Sequence, residues 1–349
     1  TRRDFLATSA SGLGGAALAS LLVEDGLLAN EFANPLEPRK PHFEPTAKAC
    51  INIFMAGAPS HLDLFDPKPE LNKRNGQSLP KEILDKARFA FIKPDTAKLM
   101  GSQRTFKAHG QSGMEFSDFL PHLGSVADDL LMIRSMHSDE FNHHPGQLLM
   151  QCGVSRFGMP TAGSWINYGL GSESKNLPGY VVLTAGRGSS GGTTLWQSGF
   201  LPSTYAGVLF RNNGEAVLNL SNPKGLPPEL QRAGLDTLNA VNQGRFEKIH
   251  DPEIASRIAS YELASRMQTA APELIDLSKE KPATLKAYGV DRPDPGGGGR
   301  GKFGDTHQDF ARNCLLARRM VERGVRYINI VYASWDHHSK LDGELKYNS

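Results

Sequence analysis

Residues 304–340 read GDTHQDFARNCLLARRMVERGVRYINIVYASWDHHSK. Phe310, Cys314, Ala317 and Val321 recur at the 3.6-residue spacing of a helix that buries one face. Asp305, with Gln308 three residues later, has the form of a capping box at its start. Arg318, Arg319 and Arg323 fill the closing turns, where the helix dipole favours cations. Gly324 supplies the left-handed residue that ends such a helix. Tyr327–Tyr332 then forms the near-continuous apolar run of a strand buried on both faces. Helix, tight turn and buried strand in this order indicate a layered α/β domain. The strand ends abruptly in Trp335, Asp336, His337 and His338.

Further strands of the same kind are expected upstream. Ala49–Ala56 is a continuous apolar run bounded by Gly57 and Pro59, expected as a fully buried strand. Leu130–Met136 (LLMIRSM) is a second run and Gly179–Gly186 (GYVVLTAG) a third. Helices are expected over Leu120–Asp128, from Pro145 to Gln151, and over 253–279, where Ile254, Ile258, Tyr261 and Met267 share a side. The fold class is therefore α/β, with a mostly parallel sheet sandwiched by helices. Residues 31–47 read as an extended, proline-rich lead-in, and about 187–250 as an insertion-like segment of one domain spanning 48–349. The glycine run at 292–303 lacks the Lys-Ser/Thr of a phosphate-binding loop and reads as a flexible connection.

A net charge of +2 over 349 residues provides no basic field for nucleic acid. No stretch beyond the N-terminus approaches the ~18 apolar residues of a membrane span. The first 30 residues begin with Arg2-Arg3 before Asp4-Phe5-Leu6 and run through small and apolar residues to Leu22. This pattern resembles a twin-arginine export signal, which places the expected location in the periplasm or beyond. Cys50, Cys152 and Cys314 are too few and scattered for a disulfide framework, and Cys50 and Cys314 are expected as small buried hydrophobes.

Ligands bind outside the carboxyl ends of strands in open α/β sheets. The first run exits into His61, Asp63 and Asp66, the second into Ser138, Asn142, His143 and His144, and the last into Asp336, His337 and His338. If the strands are parallel neighbours, these carboxylates and imidazoles meet at one edge as a divalent-metal site, for zinc, calcium or manganese. Asp336 and His338 are two apart and share a face of an extended segment, whereas His337 faces away.

The stretches MAGAPSHLDLFDPKP (Met55–Pro69), NHHPGQLLMQCGVSRFGMPTAGSWINYGLGS (Asn142–Ser172) and LLARRMVERGVRYINIVYASWDHH (Leu315–His338) together resemble a bacterial family labelled domain of unknown function 1501. The resemblance covers nearly the whole chain from Lys48. It implies an alkaline-phosphatase-like core, shared with sulfatases and phosphodiesterases, and a bimetal site. On this resemblance Asp63 is the first-strand acid, and Asp336 and His338 the first late ligand pair, at shorter spacing than usual. Asn142 and His143 would position the anionic group of the substrate, with Ser138 as the nearest hydroxyl nucleophile. His61, Asp66, His144 and His337 would take outer positions. Cys152-Gly-Val-Ser-Arg156 has an echo of the sulfatase Cys-x-Pro-Ser-Arg signature, but Val154 replaces the proline, and a turn after a helix is the expected reading. The family continues through an EFGRTP-like segment and a closing Asp-His, so the resemblance implies a core incomplete at the C-terminus. The expected function is an exported, metal-dependent hydrolase-like protein acting on sulfate or phosphate esters of a small molecule or polysaccharide. The alternative is a catalytically inactive exported binding or assembly protein on the same fold.

Overall fold

The computed structural model describes residues 34–86, 89, 93–186, 188–293 and 306–349. The export-signal reading of residues 1–30, the helix cap at Asp305 and most of the 292–303 connection lie outside them.

Six strands are described: β1 (Cys50–Met55), β2 (Phe106–His109), β3 (Met114–Ser117), β4 (Tyr180–Gly186), β5 (Val208–Phe210) and β6 (Tyr327–Ala333). β1, β6, β4 and β5 form one sheet in that order, every pair parallel. β2 and β3 form a separate antiparallel hairpin. The helices that matter below are α1 (His61–Leu64), α2 (His143–Cys152), α3 (Ala162–Leu170), α4 (Pro228–Ile249), α5 (Pro252–Ile275), α6 (Thr306–Val321) and α7 (Leu341–Asn348).

β6 is central and is buried at every position. Its side chains alternate between two helical layers, as the pleat requires. Ile328 and Ile330 pack with Leu316, Ala317 and Met320 of α6 and with Met267, Ala271 and Leu274 of α5. Tyr327 and Val331 face the other way, against Tyr180, Val182 and Ile166 of α3. Full burial of each such aliphatic side chain is worth about 1.5–3 kcal/mol. Gly324 has φ +82, the left-handed turn expected between α6 and β6.

Asn329 is the exception in this strand, fully buried among apolar neighbours. Its Nδ2 donates to Gln151 Oε1 of α2 at 3.1 Å, and its Oδ1 accepts from Asn52 Nδ2 of β1 at 3.0 Å. Parity puts it on the α2 face, where these amides satisfy it.

Four expectations are corrected. β1 is an edge strand, not a fully buried one: Ile51 is 43% and Ile53 46% exposed, because no helix among the described residues covers that face of β1. Leu130–Met136 is irregular rather than a strand. Met132 packs into a core cluster with Leu64, Tyr332 and Trp335, but Leu131 is 88%, Ile133 59% and Met136 73% exposed, and no strand pairs with the segment among the described residues. The helix expected at Leu120–Asp128 is a single turn at Pro121–Gly124 followed by a 3-10 turn at Ala127–Asp129. Cys50 is exposed, contrary to expectation, because it sits on that open edge. The three cysteines are free, and burial pushes the Cys314 thiol up to about 11. Among the described residues, no helix is long and apolar enough to cross a membrane.

Replacing Asn329 by Leu leaves Gln151 Oε1 and Asn52 Nδ2 without their partner. The expected result is a loss of about 1–3 kcal/mol in unfolding free energy, read as a lower urea midpoint at unchanged slope. A variant as stable as the parent would show that the amide bridge is dispensable.

Candidate metal centre

The site lies where β6 leaves the sheet. Two backbone bonds continue the ladder past the strand ends: Ala56 N donates to Tyr332 O (2.9 Å) and Trp335 N to Ala56 O (3.3 Å). The β1 exit is thereby held against the β6 exit. Gly57, at φ +98, passes so close that a Cβ there would collide with the backbone nitrogen of Asp336. Glycine alone meets both demands. Ala58 follows at φ +65, a left-handed conformation that costs a residue with a Cβ about 1–2 kcal/mol.

α2 brings the third component. His143, Gln147 and Gln151 recur at i, i+4 and i+8 and so share one face of this helix. Gln151 is bound to Asn329 within the sheet. Gln147 Oε1 accepts from Gly191 N (3.1 Å) and Ser190 Oγ (3.3 Å) of the glycine-rich loop after β4. His143 stands at the rim, where its Nε2 lies 3.4 Å from Asp336 Oδ1. His338 Nε2 is 2.6 Å from the same oxygen. One ligand atom from each of His143, Asp336 and His338 lies within 4.8 Å of the others, and all three side chains are open to solvent.

This donor set fits a divalent ion. Tetrahedral ligands at about 2.0–2.1 Å from zinc stand about 3.4 Å apart; the His143–Asp336 separation has that value, whereas His338, now paired directly with Asp336 at 2.6 Å, would have to move back to admit an ion. Two imidazoles with one carboxylate suit zinc or manganese. Calcium, among the three ions expected, prefers an all-oxygen shell. Three protein ligands leave coordination positions for water or substrate.

The other expected residues fall elsewhere. Asp63 is buried on α1 and both its oxygens accept serine hydroxyls, from Ser60 at 2.5 Å and Ser102 at 2.6 Å, so it is not one of the trio. Asp66 pairs with Lys68 at 2.7 Å, and that bond holds its carboxyl below its usual range. His61 lines a cleft with Asp66 and Lys68. His144 Nε2 lies 3.2 Å from Thr194 Oγ1, and its ring meets Phe157 edge-on. Asn142 occupies the N-cap position of α2 without a side-chain capping bond. Ser138 Oγ accepts from Glu140 N at 3.0 Å in an exposed turn. His337 Nε2 lies 3.1 Å from Ser334 O. Cys152 lies at the far end of α2, about 14 Å along the axis from His143, and burial raises its thiol pKa. Neither property suits a catalytic cysteine acting beside this trio.

One supporting residue has no sequence signal. Asn348 of α7 accepts from Tyr332 Oη (3.0 Å), donates to Ser334 O (2.9 Å) and lies 2.8 Å from His337 Nε2. It therefore grips the segment carrying Asp336 on both sides. A side-chain amide sixteen residues downstream becomes visible only once α7 folds back onto the rim.

A family model described as "Protein of unknown function (DUF1501)" matches residues 47–348. No curated protein and no solved structure matches the chain.

Asn348→Ala leaves all three candidate ligands in place but frees the loop that aims them. Zinc affinity is expected to fall about tenfold or more, measured by competition with a chromophoric chelator. Unchanged affinity would show that α7 does not position the ligands.

Proposed function

We propose that this chain, which belongs to the DUF1501 family over residues 47–348, is an exported, metal-dependent hydrolase of sulfate or phosphate esters on an alkaline-phosphatase-like core. One observation carries the reading: His143, remote in sequence, meets the neighbouring pair Asp336 and His338 at the carboxyl rim of a parallel sheet, the place where such sheets bind ligands. The Arg2-Arg3 start and the small, apolar run after it support export.

His143, Asp336 and His338 would hold the ion. A divalent ion supplies Lewis-acid polarisation of the ester and a more acidic water. The chain's own groups bind and orient. Asn142, unengaged as a cap, is available to donate to a non-bridging ester oxygen, and the positive end of α2 favours an anion there. Asn348 holds the Asp336 segment against the β1 exit. The substrate class is a sulfated or phosphorylated small molecule or polysaccharide.

A second reading, an inactive binding or assembly protein on the same fold, draws on Ser138. Its hydroxyl sits in an exposed turn with Glu140 N–H rather than against a base, so the chain offers no activated serine at this position.

The test is metal analysis of the purified full-length protein, followed by turnover of 4-nitrophenyl sulfate and 4-nitrophenyl phosphate with zinc and with manganese. One ion or more per chain and turnover that falls at least about 100-fold in Asp336→Ala are expected. Stoichiometric metal without turnover would favour the binding protein. Absence of bound metal at saturating supply would overturn both.

A further inference from the structure

A cleft of about 460 Å³ opens between α1 with the turn after it and the irregular segment 130–136. Its size is that of a small-molecule site. One wall is carbon: Phe65, Met132, Ile133 and Met136. Ile133 and Met136 are exposed, so their surface gains from being covered. The charged groups are Asp66, Lys68 and Arg134, with the His61 imidazole beside them.

The charges do not cancel. Lys68 and Asp66 neutralise each other at 2.7 Å. Arg134 donates from Nε to Met132 Sδ at 3.4 Å, and no carboxylate lies within ion-pairing distance of it among the described residues. Its two Nη groups are the planar fork that matches a sulfate, sulfonate or carboxylate bidentately. A second negative charge would stand near Asp66, which Arg134 already influences through space. The cleft therefore suits one negative charge and an apolar body.

We propose that this cleft is a binding site for an amphipathic organic monoanion, with an aryl or short alkyl group on the Phe65–Ile133 wall and its anionic head on Arg134. The site uses none of His143, Asp336 and His338, so it stands or falls independently of the metal reading.

The test is calorimetric titration of the full chain with naphthalene-2-sulfonate and, for comparison, neutral 2-naphthol. Arg134→Gln is expected to weaken sulfonate binding roughly tenfold or more and to leave naphthol binding unchanged. Arg257→Gln, an exposed arginine outside the cleft, is expected to leave both unchanged. Ile133→Glu is expected to weaken both ligands. The proposal is overturned if the parent does not bind the sulfonate, or if Arg134→Gln binds it as the parent does. Equal losses in Arg134→Gln and Arg257→Gln would equally reject it, because they would indicate diffuse charge rather than a site.

Discussion

Asn329 places an amide where the surrounding sequence would put a methyl group, and three elements have to agree on that placement. Asn52 reaches it from the edge strand and Gln151 from the helix above. A one-residue slip of β6 would turn the amide into the α5–α6 layer and present Ile328 or Ile330 to Gln151. A buried unpaired amide is costly and directional, whereas aliphatic packing tolerates sliding. The polar contact therefore fixes the register that the apolar core leaves free. Because α2 carries Gln151 and His143 on one face, fixing that register also fixes where an imidazole meets the rim.

The rim depends on close approach as much as on hydrogen bonding. Gly57 has no side chain, so the β1 exit can lie directly against Asp336, and the ladder extends past both strands through Ala56. α7 closes the other side through Asn348. Asp336 is thus presented by a short segment pinned at Tyr332, Ser334 and Trp335, while His338, two residues on, reaches back to the same carboxylate oxygen. The ligand side chains stay open to solvent, but the backbone beneath Asp336 is tied to strands, and such support gives a metal site its precision.

The legible part of the fold was the part whose environment is written in its own period. α6 and β6 carry unbroken helical and strand patterns, a left-handed glycine between them and enough apolar length to exclude alternatives. α5 and β4 were clear for the same reason, and α2 from the helix formers between Pro145 and Gln151. Leu130–Met136 has a strand's composition, but composition does not provide a neighbouring strand, and its backbone stays unpaired. The Ile51–Ile53 run looked doubly buried because a sequence does not state which faces a helix will cover. At the site, the shared face of Asp336 and His338 was readable from their spacing, whereas His143 was expected at the tip of a strand over Leu130–Met136 and instead enters from the first turn of α2. The pairing of His143 with Asp336 depends on where α2 lands, which is decided by Gln151 and Asn329 at long range. Asp63 was read as the first-strand acid from its place at the exit of β1 and from the family resemblance; its partner Ser102 is 39 positions away and meets it only in three dimensions.

Trp335 sits beside Asp336 in the chain, yet its indole is buried edge-on against Tyr332, and its Nε1–H lacks a hydrogen-bond partner among the described residues. An aromatic chromophore is thus locked one peptide away from the carboxylate at the centre of the candidate site. A charge arriving at that carboxylate would change the electric field across the ring, so in a chain whose other two tryptophans, Trp165 and Trp196, are replaced by Phe, the ultraviolet emission would report on the candidate site without an attached label.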